Sequence, residues 1–191
     1  LLNFIKKFKD KKNKKAAFIY GPTGVGKTSC VYVLAKKLDL EVLEINASDI
    51  RNKEQIQQRL GSSIKQQSLF SKGKIILVDE VDGLSGTKDR GGILTMAQLI
   101  DETYFPIIFT AANPWDTKLS TIRKKSEMIM FNPLTSNDVS IILKKICKKE
   151  NMEYDEDTLK SLARRVGGDA RAAINDLQML TINNKKLDKE S

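Results

Sequence analysis

The residues from Gly21 to Cys30 read "GPTGVGKTSC", directly behind the apolar run "AAFIY" at 16–20. Glycine loses more backbone freedom on folding than any other residue, so three of them behind a strand imply a ligand that must approach the backbone closely. From Gly21 to Thr28 the spacing is G-x-x-x-x-G-K-T, in the strand–loop–helix setting of a phosphate-binding loop. Such a loop aims its backbone N–H groups at phosphate oxygens. The residues expected to hold the phosphates are Gly21, Pro22, Thr23, Gly24, Val25, Gly26, Lys27, Thr28 and Ser29. Lys27 supplies a point charge to the β- and γ-phosphates, Thr28 a hydroxyl ligand for Mg²⁺, and the helix start a favourable dipole.

A second cluster fits the same chemistry. "IILVDEVD" ends an apolar run in Asp79 and Glu80. A carboxylate at the exposed end of a buried strand can complete a Mg²⁺ shell, the role expected for Asp79. Its neighbour Glu80 can take the proton from water attacking the γ-phosphate. Asn113 closes "PIIFTAAN", where its amide can orient that water or contact the γ-phosphate, although Asn before Pro is also a turn residue. Arg171, in "GGDARAAINDL", stands in the first turn of the last helix, from which it can reach bound phosphates; the plainer reading is a surface arginine paired with Asp169 or Asp176.

These groups need a scaffold. Short apolar strands at 16–20, 41–45, 74–79, 106–112 and 127–131 alternate with helical runs at 27–38, 52–60, 91–102 and 116–123, which specifies an α/β fold with a parallel sheet covered by helices on both faces. At the start, Leu1, Leu2, Ile5 and Phe8 share one helical face, as in a short helix packed on the core. After Pro133 no strand signal remains. Helical runs at 136–150, 156–166 and 170–181 form a small three-helix subdomain, with Thr135 and Asp138 as a capping box, Gly167 and Gly168 ending the second helix and Asp169 capping the third. The expected division is 1–133 for the nucleotide-binding domain and 134–191 for a helical lid.

The composition narrows the classes. A net charge of +9, from 33 Lys and Arg against 24 Asp and Glu, suits a polyanionic partner such as nucleic acid, or a lysine-rich solvated surface. The chain has no histidine, and its two cysteines, Cys30 and Cys147, lie far apart, which excludes the usual zinc sites and fits a reducing, intracellular compartment. No run approaches the ~20 apolar residues of a membrane span, so no membrane partner is expected. The start lacks an initiator Met and a signal-peptide core, as in a fragment cut at both ends.

The order "GPTGVGKT", "ILVDEVD", "TAANP", "GGDARAAINDL" resembles the AAA+ ATPases. Within them, "EINASDIRN" and "SLFSKGKIILVDEVDGLSGTKDRGG" resemble the large-subunit family of replication factor C, the clamp loader of archaea and eukaryotes, over about Lys6 to Leu180. The resemblance implies a P-loop NTPase sheet with a lid and ATP and Mg²⁺ as cofactors. It implies three kinds of partner: the small subunits of a hetero-oligomer, a sliding clamp and primer–template DNA. The location would be the cytoplasm in an archaeon and the nucleus in a eukaryote. It implies phosphate-tracking contacts to DNA by Arg51, Lys88 and Arg90, at helix starts that line the inside of the assembly. In that family the stretch "SSIKQQSLF" (62–70) faces the clamp, implying Ile64, Leu69 and Phe70 as clamp-binding residues, although Ser63 and Gln66 stand where a glutamine and an aliphatic residue are preferred.

The small clamp-loader subunits carry a Ser-Arg-Cys run whose arginine completes a neighbour's site. This chain has "STIRKKSEMIMF" there, so no trans-acting arginine is assigned among Arg123, Lys124 and Lys125. The alternatives are a related AAA+ repair or checkpoint ATPase, a small-molecule P-loop kinase, and a nucleotide-binding scaffold without catalysis. The kinase leaves Asp79–Glu80 and the Arg171 lid unexplained, and the scaffold leaves Glu80 without a purpose.

Overall fold

A computed structural model describes residues 1–8, 14–47, 73–83, 90–182 and 186–187. The expected helix at 52–60 lies outside these residues. Close contacts divide the chain into two units: Leu1–Gly21 with Lys27–Met130, and Pro22–Gly26 with Phe131–Ser191.

The first unit is built on a five-stranded sheet, all of whose neighbouring pairs are parallel. Its strands are β1 (Ala16–Tyr20), β2 (Glu41–Asn46), β3 (Lys74–Asp79), β4 (Ile107–Ala111) and β5 (Ser126–Met130), in the spatial order β2-β3-β4-β1-β5. The three central strands are near-continuous apolar runs, as a sheet covered on both faces requires, whereas edge strand β2 exposes Glu41 and Glu44. Alternation sends Phe18, Ile76, Val78, Ile107 and Phe109 into one core cluster, joined by Met96 and Ile100 of the helix Arg90–Glu102, while Ala17, Ile19, Ile75, Leu77 and Ile108 are equally buried. Phe18 and Phe109 sit opposite each other in register with ring centroids 6.1 Å apart.

The helices of this unit are α1 (Leu2–Lys7), α2 (Lys27–Leu38), α3 (Arg90–Glu102) and α4 (Ser120–Lys125). In α1 the fully buried residue is Phe4, which the expected face of Leu1, Leu2, Ile5 and Phe8 omitted; those four are half-buried. The expected helix at 116–123 is a 3-10 turn, Thr117–Leu119, that runs into α4. Asp116 caps the turn through the Lys118 N–H at 2.9 Å, which displaces the α-helical start to Ser120.

The second unit carries α5 (Ser136–Lys149), α6 (Glu156–Arg165) and α7 (Ala170–Thr181) around a core of Val139, Leu143, Cys147, Leu159, Leu162, Ala173 and Leu177. Each helix has an acidic or hydroxyl cap: Thr135 accepts from the Asp138 N–H at 3.1 Å, Asp155 from Thr158 at 2.9 Å and Asp169 from Ala172 at 2.9 Å. The expectation of no strand beyond Pro133 is corrected by a parallel pair, β6 (Glu153–Tyr154) and β7 (Lys186–Leu187). Two residues are too few to show a period, and the pairing places Leu187 in the core.

The capping box of α5 is a simple test of this unit. Thr135→Ala removes the acceptor for the Asp138 N–H and should destabilise the unit by about 1 kcal/mol in denaturant unfolding. The Thr135 hydroxyl and amide also hold the Asp138 carboxyl below its ordinary value. That contribution is complete above the unfolded carboxylate pKa and is lost as pH falls through the lowered folded value, so the gap between mutant and parent should narrow in acid to what the Asp138 N–H bond contributes.

Candidate nucleotide site

In doubly wound sheets, ligands gather at the carboxyl ends of the strands where the strand order reverses. The segments that follow β1, β3 and β4 carry the candidate residues Lys27, Thr28, Glu80 and Asn113, with Asp79 at the end of β3. Lys27 opens α2 and donates from Nζ to the Gly21 carbonyl at 2.8 Å, so its ammonium is held beside the loop's first residue. Thr28 donates its hydroxyl to the Asp79 carboxylate, 3.0 Å from Oδ1 and 3.1 Å from Oδ2. The structure thus brings together the two residues expected to hold Mg²⁺. A hydroxyl and a carboxylate are hard oxygen donors of the kind Mg²⁺ takes, with water and phosphate oxygens filling the remaining positions. Among the described residues no group of three or more His, Cys, Asp or Glu is placed to hold a metal ion by itself.

Glu80 follows β3 with φ +56, a left-handed conformation that is uncommon outside glycine. Strained backbone of this kind persists where the surroundings fix it, and it concentrates at functional sites. Here Thr110 of β4 does the fixing. Its hydroxyl accepts the Glu80 N–H at 3.1 Å and donates to Asp79 Oδ1 in a short hydrogen bond. One buried hydroxyl therefore orients the carboxylate of Asp79 and the backbone of Glu80 together. After Glu80 the chain makes a 3-10 turn, Val81–Gly83, anchored by fully buried Val81.

Asn113 lies just beyond β4. Its side-chain oxygen accepts the Trp115 N–H at 3.0 Å, which leaves its NH₂ as the group to offer a ligand. Asp82 Oδ2 accepts the backbone N–H groups of Ala112 at 2.8 Å and Asn113 at 3.0 Å. Trp115, 63% exposed, meets Tyr20 edge-on at 6.0 Å between centroids, and the Arg123 guanidinium stacks 5.4 Å from its ring centre. Arg123 also donates to the carbonyls of Pro114 at 2.5 Å and Asp116 at 2.9 Å. Lys125 donates to the Ala97 carbonyl at 3.1 Å and forms a short ion pair with Asp101. Arg123 and Lys125 are thus engaged within their own unit, while Lys124 is exposed.

Thr110 and Asp82 escaped the sequence reading, and each had left a trace. Thr110 is a polar residue inside the apolar run "PIIFTAA", and Asp82 is the third acid of "VDEVD".

The loop residues Pro22–Gly26 group with the helical unit. Gly24 and Gly26 have φ +67 and +89, conformations that L side chains rarely adopt. Within this unit the Thr23 hydroxyl donates to Asp169 Oδ2 at 3.1 Å, and a Cβ on Gly24 would collide with the same carboxylate. Arg171 is exposed in the first turn of α7. The two acids that might have paired with it are engaged elsewhere: Asp176 lies 3.5 Å from Arg165, and Asp169 caps α7. Arg51, Lys88, Ile64, Leu69 and Phe70 lie outside the described residues, and Arg90 is described only as the first residue of α3.

A model of the ATPase family associated with various cellular activities (AAA) matches residues 17–134. The chain belongs to the AAA family of ATPases. Among curated AAA relatives, the chain is 49% identical over 172 residues to the replication factor C large subunit of Staphylothermus marinus, covering 90% of this chain and 41% of that protein. It is 47% identical over 180 residues to the large subunit of Nanoarchaeum equitans, covering 94% and 42%, and 44% identical over 180 residues to that of Thermofilum pendens, covering 94% and 44%. The chain is therefore a replication factor C-like AAA ATPase that spans less than half the length of these relatives. Among solved structures, the RuvB Holliday junction branch migration motor of Thermotoga maritima shares the AAA fold. The TM-score is 0.71 at 16% identity, over 99% of this chain and 64% of that one. No helix among the described residues is long and apolar enough to cross a membrane.

Proposed function

We propose that this chain is the ATPase and lid portion of a clamp-loader large subunit, and that it binds and hydrolyses Mg·ATP to help load a sliding clamp onto primer–template DNA. The observation that carries the catalytic part is the linked set Thr28–Asp79–Thr110–Glu80, which puts a metal-type donor pair beside a carboxylate held in a left-handed turn. The likeness to replication factor C large subunits supports the choice of clamp loading over repair or checkpoint work.

In this reading the loop Gly21–Ser29 cradles the triphosphate and Lys27 neutralises its β- and γ-oxygens. Thr28 and Asp79 would hold Mg²⁺, which would supply positive charge to the phosphates. Glu80 accepts the proton of the attacking water, and Asn113 offers its NH₂ to that water or the γ-phosphate. Arg171 contacts the phosphates from the lid, taken as 134–191 against a nucleotide domain of 1–133. An arginine from a neighbouring subunit completes the site, a contribution worth roughly 10³-fold or more in rate. The small subunits, the clamp and the DNA are the partners, and the location is intracellular. Ile64, Leu69 and Phe70 face the clamp.

Arg51, Lys88 and Arg90 contact DNA phosphates. Replacing all three by Ala in the full-length subunit, assembled with its partners, should abolish most stimulation of ATPase by primed DNA while ATP affinity holds. Each lost contact should also reduce the log–log salt slope of DNA binding by about 0.9. An equal loss on removing Lys144 and Lys148 would point to bulk charge instead. If primed DNA and a ring clamp leave the wild-type ATPase rate unchanged, the clamp-loader reading fails.

A further inference from the structure

The turn after β3 and the loop after β4 hold each other in place. Thr110 ties the end of β4 to the Glu80 amide, and Asp82 ties the turn back to the Ala112 and Asn113 amides. The second link is needed because the strands part company. The β3–β4 register covers Ile76–Val78 against Ile107–Phe109, and β3 ends at Asp79, just before the left-handed residue Glu80. Ala112 and Asn113 lie past the end of β4 and of that register. The Asp82 carboxylate takes both through a single oxygen, and Val81, fully buried, fixes the turn that presents it. A charged acceptor makes such bonds stronger than a carbonyl would. The Gly83 N–H closes the turn on the Glu80 carbonyl at 2.9 Å, so the segment bearing Glu80 and the segment bearing Asp82 form one short rigid piece.

We propose that Asp82 is a positioning residue for ATP hydrolysis: by clamping the Ala112–Asn113 backbone to the turn that carries Glu80, it sets where Asn113 presents its NH₂. This rests on the reading of Asn113 as the amide facing the γ-phosphate or the attacking water. The Asn113 oxygen is already committed to the Trp115 N–H, so a shift of its backbone moves the NH₂ with it. Asp82 contacts neither phosphate nor metal in this scheme. Its effect passes through Asn113 and falls on the chemical step, since the groups that bind the ground-state nucleotide, Lys27 and Thr28, are held by other contacts.

The test is a mutant cycle on the full-length subunit in its assembled complex, with kcat and KM for ATP measured for Asp82→Ala, Asn113→Ala and the double variant. Misplacing a group that orients the reacting atoms costs on the order of 10–100-fold. Asp82→Ala should therefore lower kcat by about that factor with KM within about twofold. In the Asn113→Ala background the same change should cost nothing further. Asp82→Asn, whose side-chain oxygen still accepts both amides, should restore most of kcat. Asp82→Ser, which keeps a hydroxyl but is too short to span the gap, should lose activity as Ala does and stands in if the Ala variant does not fold. If Asn113→Ala leaves kcat intact, the reading of Asn113 is wrong. If Asn113→Ala lowers kcat but Asp82→Ala and Asp82→Ser do not, or if the two losses multiply in the double variant, Asp82 does not act through Asn113 and the proposal is overturned.

Discussion

Glu80→Gln should bind ATP as the parent does and lose ~10²–10⁴-fold in the hydrolytic step. Gln has the same shape and keeps the backbone N–H that Thr110 accepts, so the left-handed turn and the Asp79 carboxylate stay where they are. What the substitution removes is the capacity to take a proton. In the proposed site nothing in the ground-state complex depends on that capacity, because the loop and Lys27 would hold the triphosphate. Single-turnover hydrolysis with saturating nucleotide isolates the step, and a direct binding titration supplies the control. Trp115, the sole tryptophan, lies against Tyr20 immediately before the loop and provides a fluorescence signal for that titration. Hydrolysis at the parent rate would remove Glu80 from the mechanism. A parallel loss of binding would mean that its carboxylate is structural.

Lys27→Ala should fail one step earlier, at binding. The ammonium donates to the Gly21 carbonyl, 2.8 Å away, beside the start of the loop that would cradle the phosphates in the proposed site. Each charge-assisted hydrogen bond it then makes is worth about 1.5–3 kcal/mol, so losing contacts to two phosphates weakens binding by roughly 100-fold or more. Thermal denaturation reads this without any turnover. A ligand that binds only the folded state raises its stability with concentration. Mg·ATP should therefore shift the melting temperature of the parent and of Glu80→Gln, and leave that of Lys27→Ala nearly unmoved. An undiminished shift in Lys27→Ala would show that the nucleotide is held elsewhere.

The contrast between these two variants follows from what could be read in the residues themselves. The spacing from Gly21 to Thr28 is the G-x-x-x-x-G-K-T pattern that raises the expectation of a phosphate loop, and Gly24 and Gly26 take φ of +67 and +89, conformations that favour glycine. The central strands are legible for the same kind of reason. Burial on both faces forces unbroken apolar runs such as "KIILV" and "PIIF". The missed features depend on contacts between distant segments. Thr110 lies 31 residues from Asp79, and Asp82 lies 30 and 31 from the amides it accepts, separations at which no local pattern operates. Glu80's left-handed turn is likewise imposed from outside, since glutamate has no preference for it. Phe4 was passed over because a six-residue helix has too few positions to define a face, and β6–β7 because two residues cannot define a strand.

On the proposed function, ATP is bound and cleaved at the strand-end cluster around Lys27, Thr28, Asp79 and Glu80. A crystal structure with Mg²⁺ and a non-hydrolysable ATP analogue tests it most directly. Lys27 Nζ should be released from the Gly21 carbonyl and bonded to the β- and γ-phosphates. Mg²⁺ should lie on the Thr28 hydroxyl with Asp79 in its shell, and the Glu80 carboxylate should face the γ-phosphate across a water. A triphosphate lying away from these four residues, or one bound while Thr28 remains on Asp79 and Lys27 on Gly21, would contradict it.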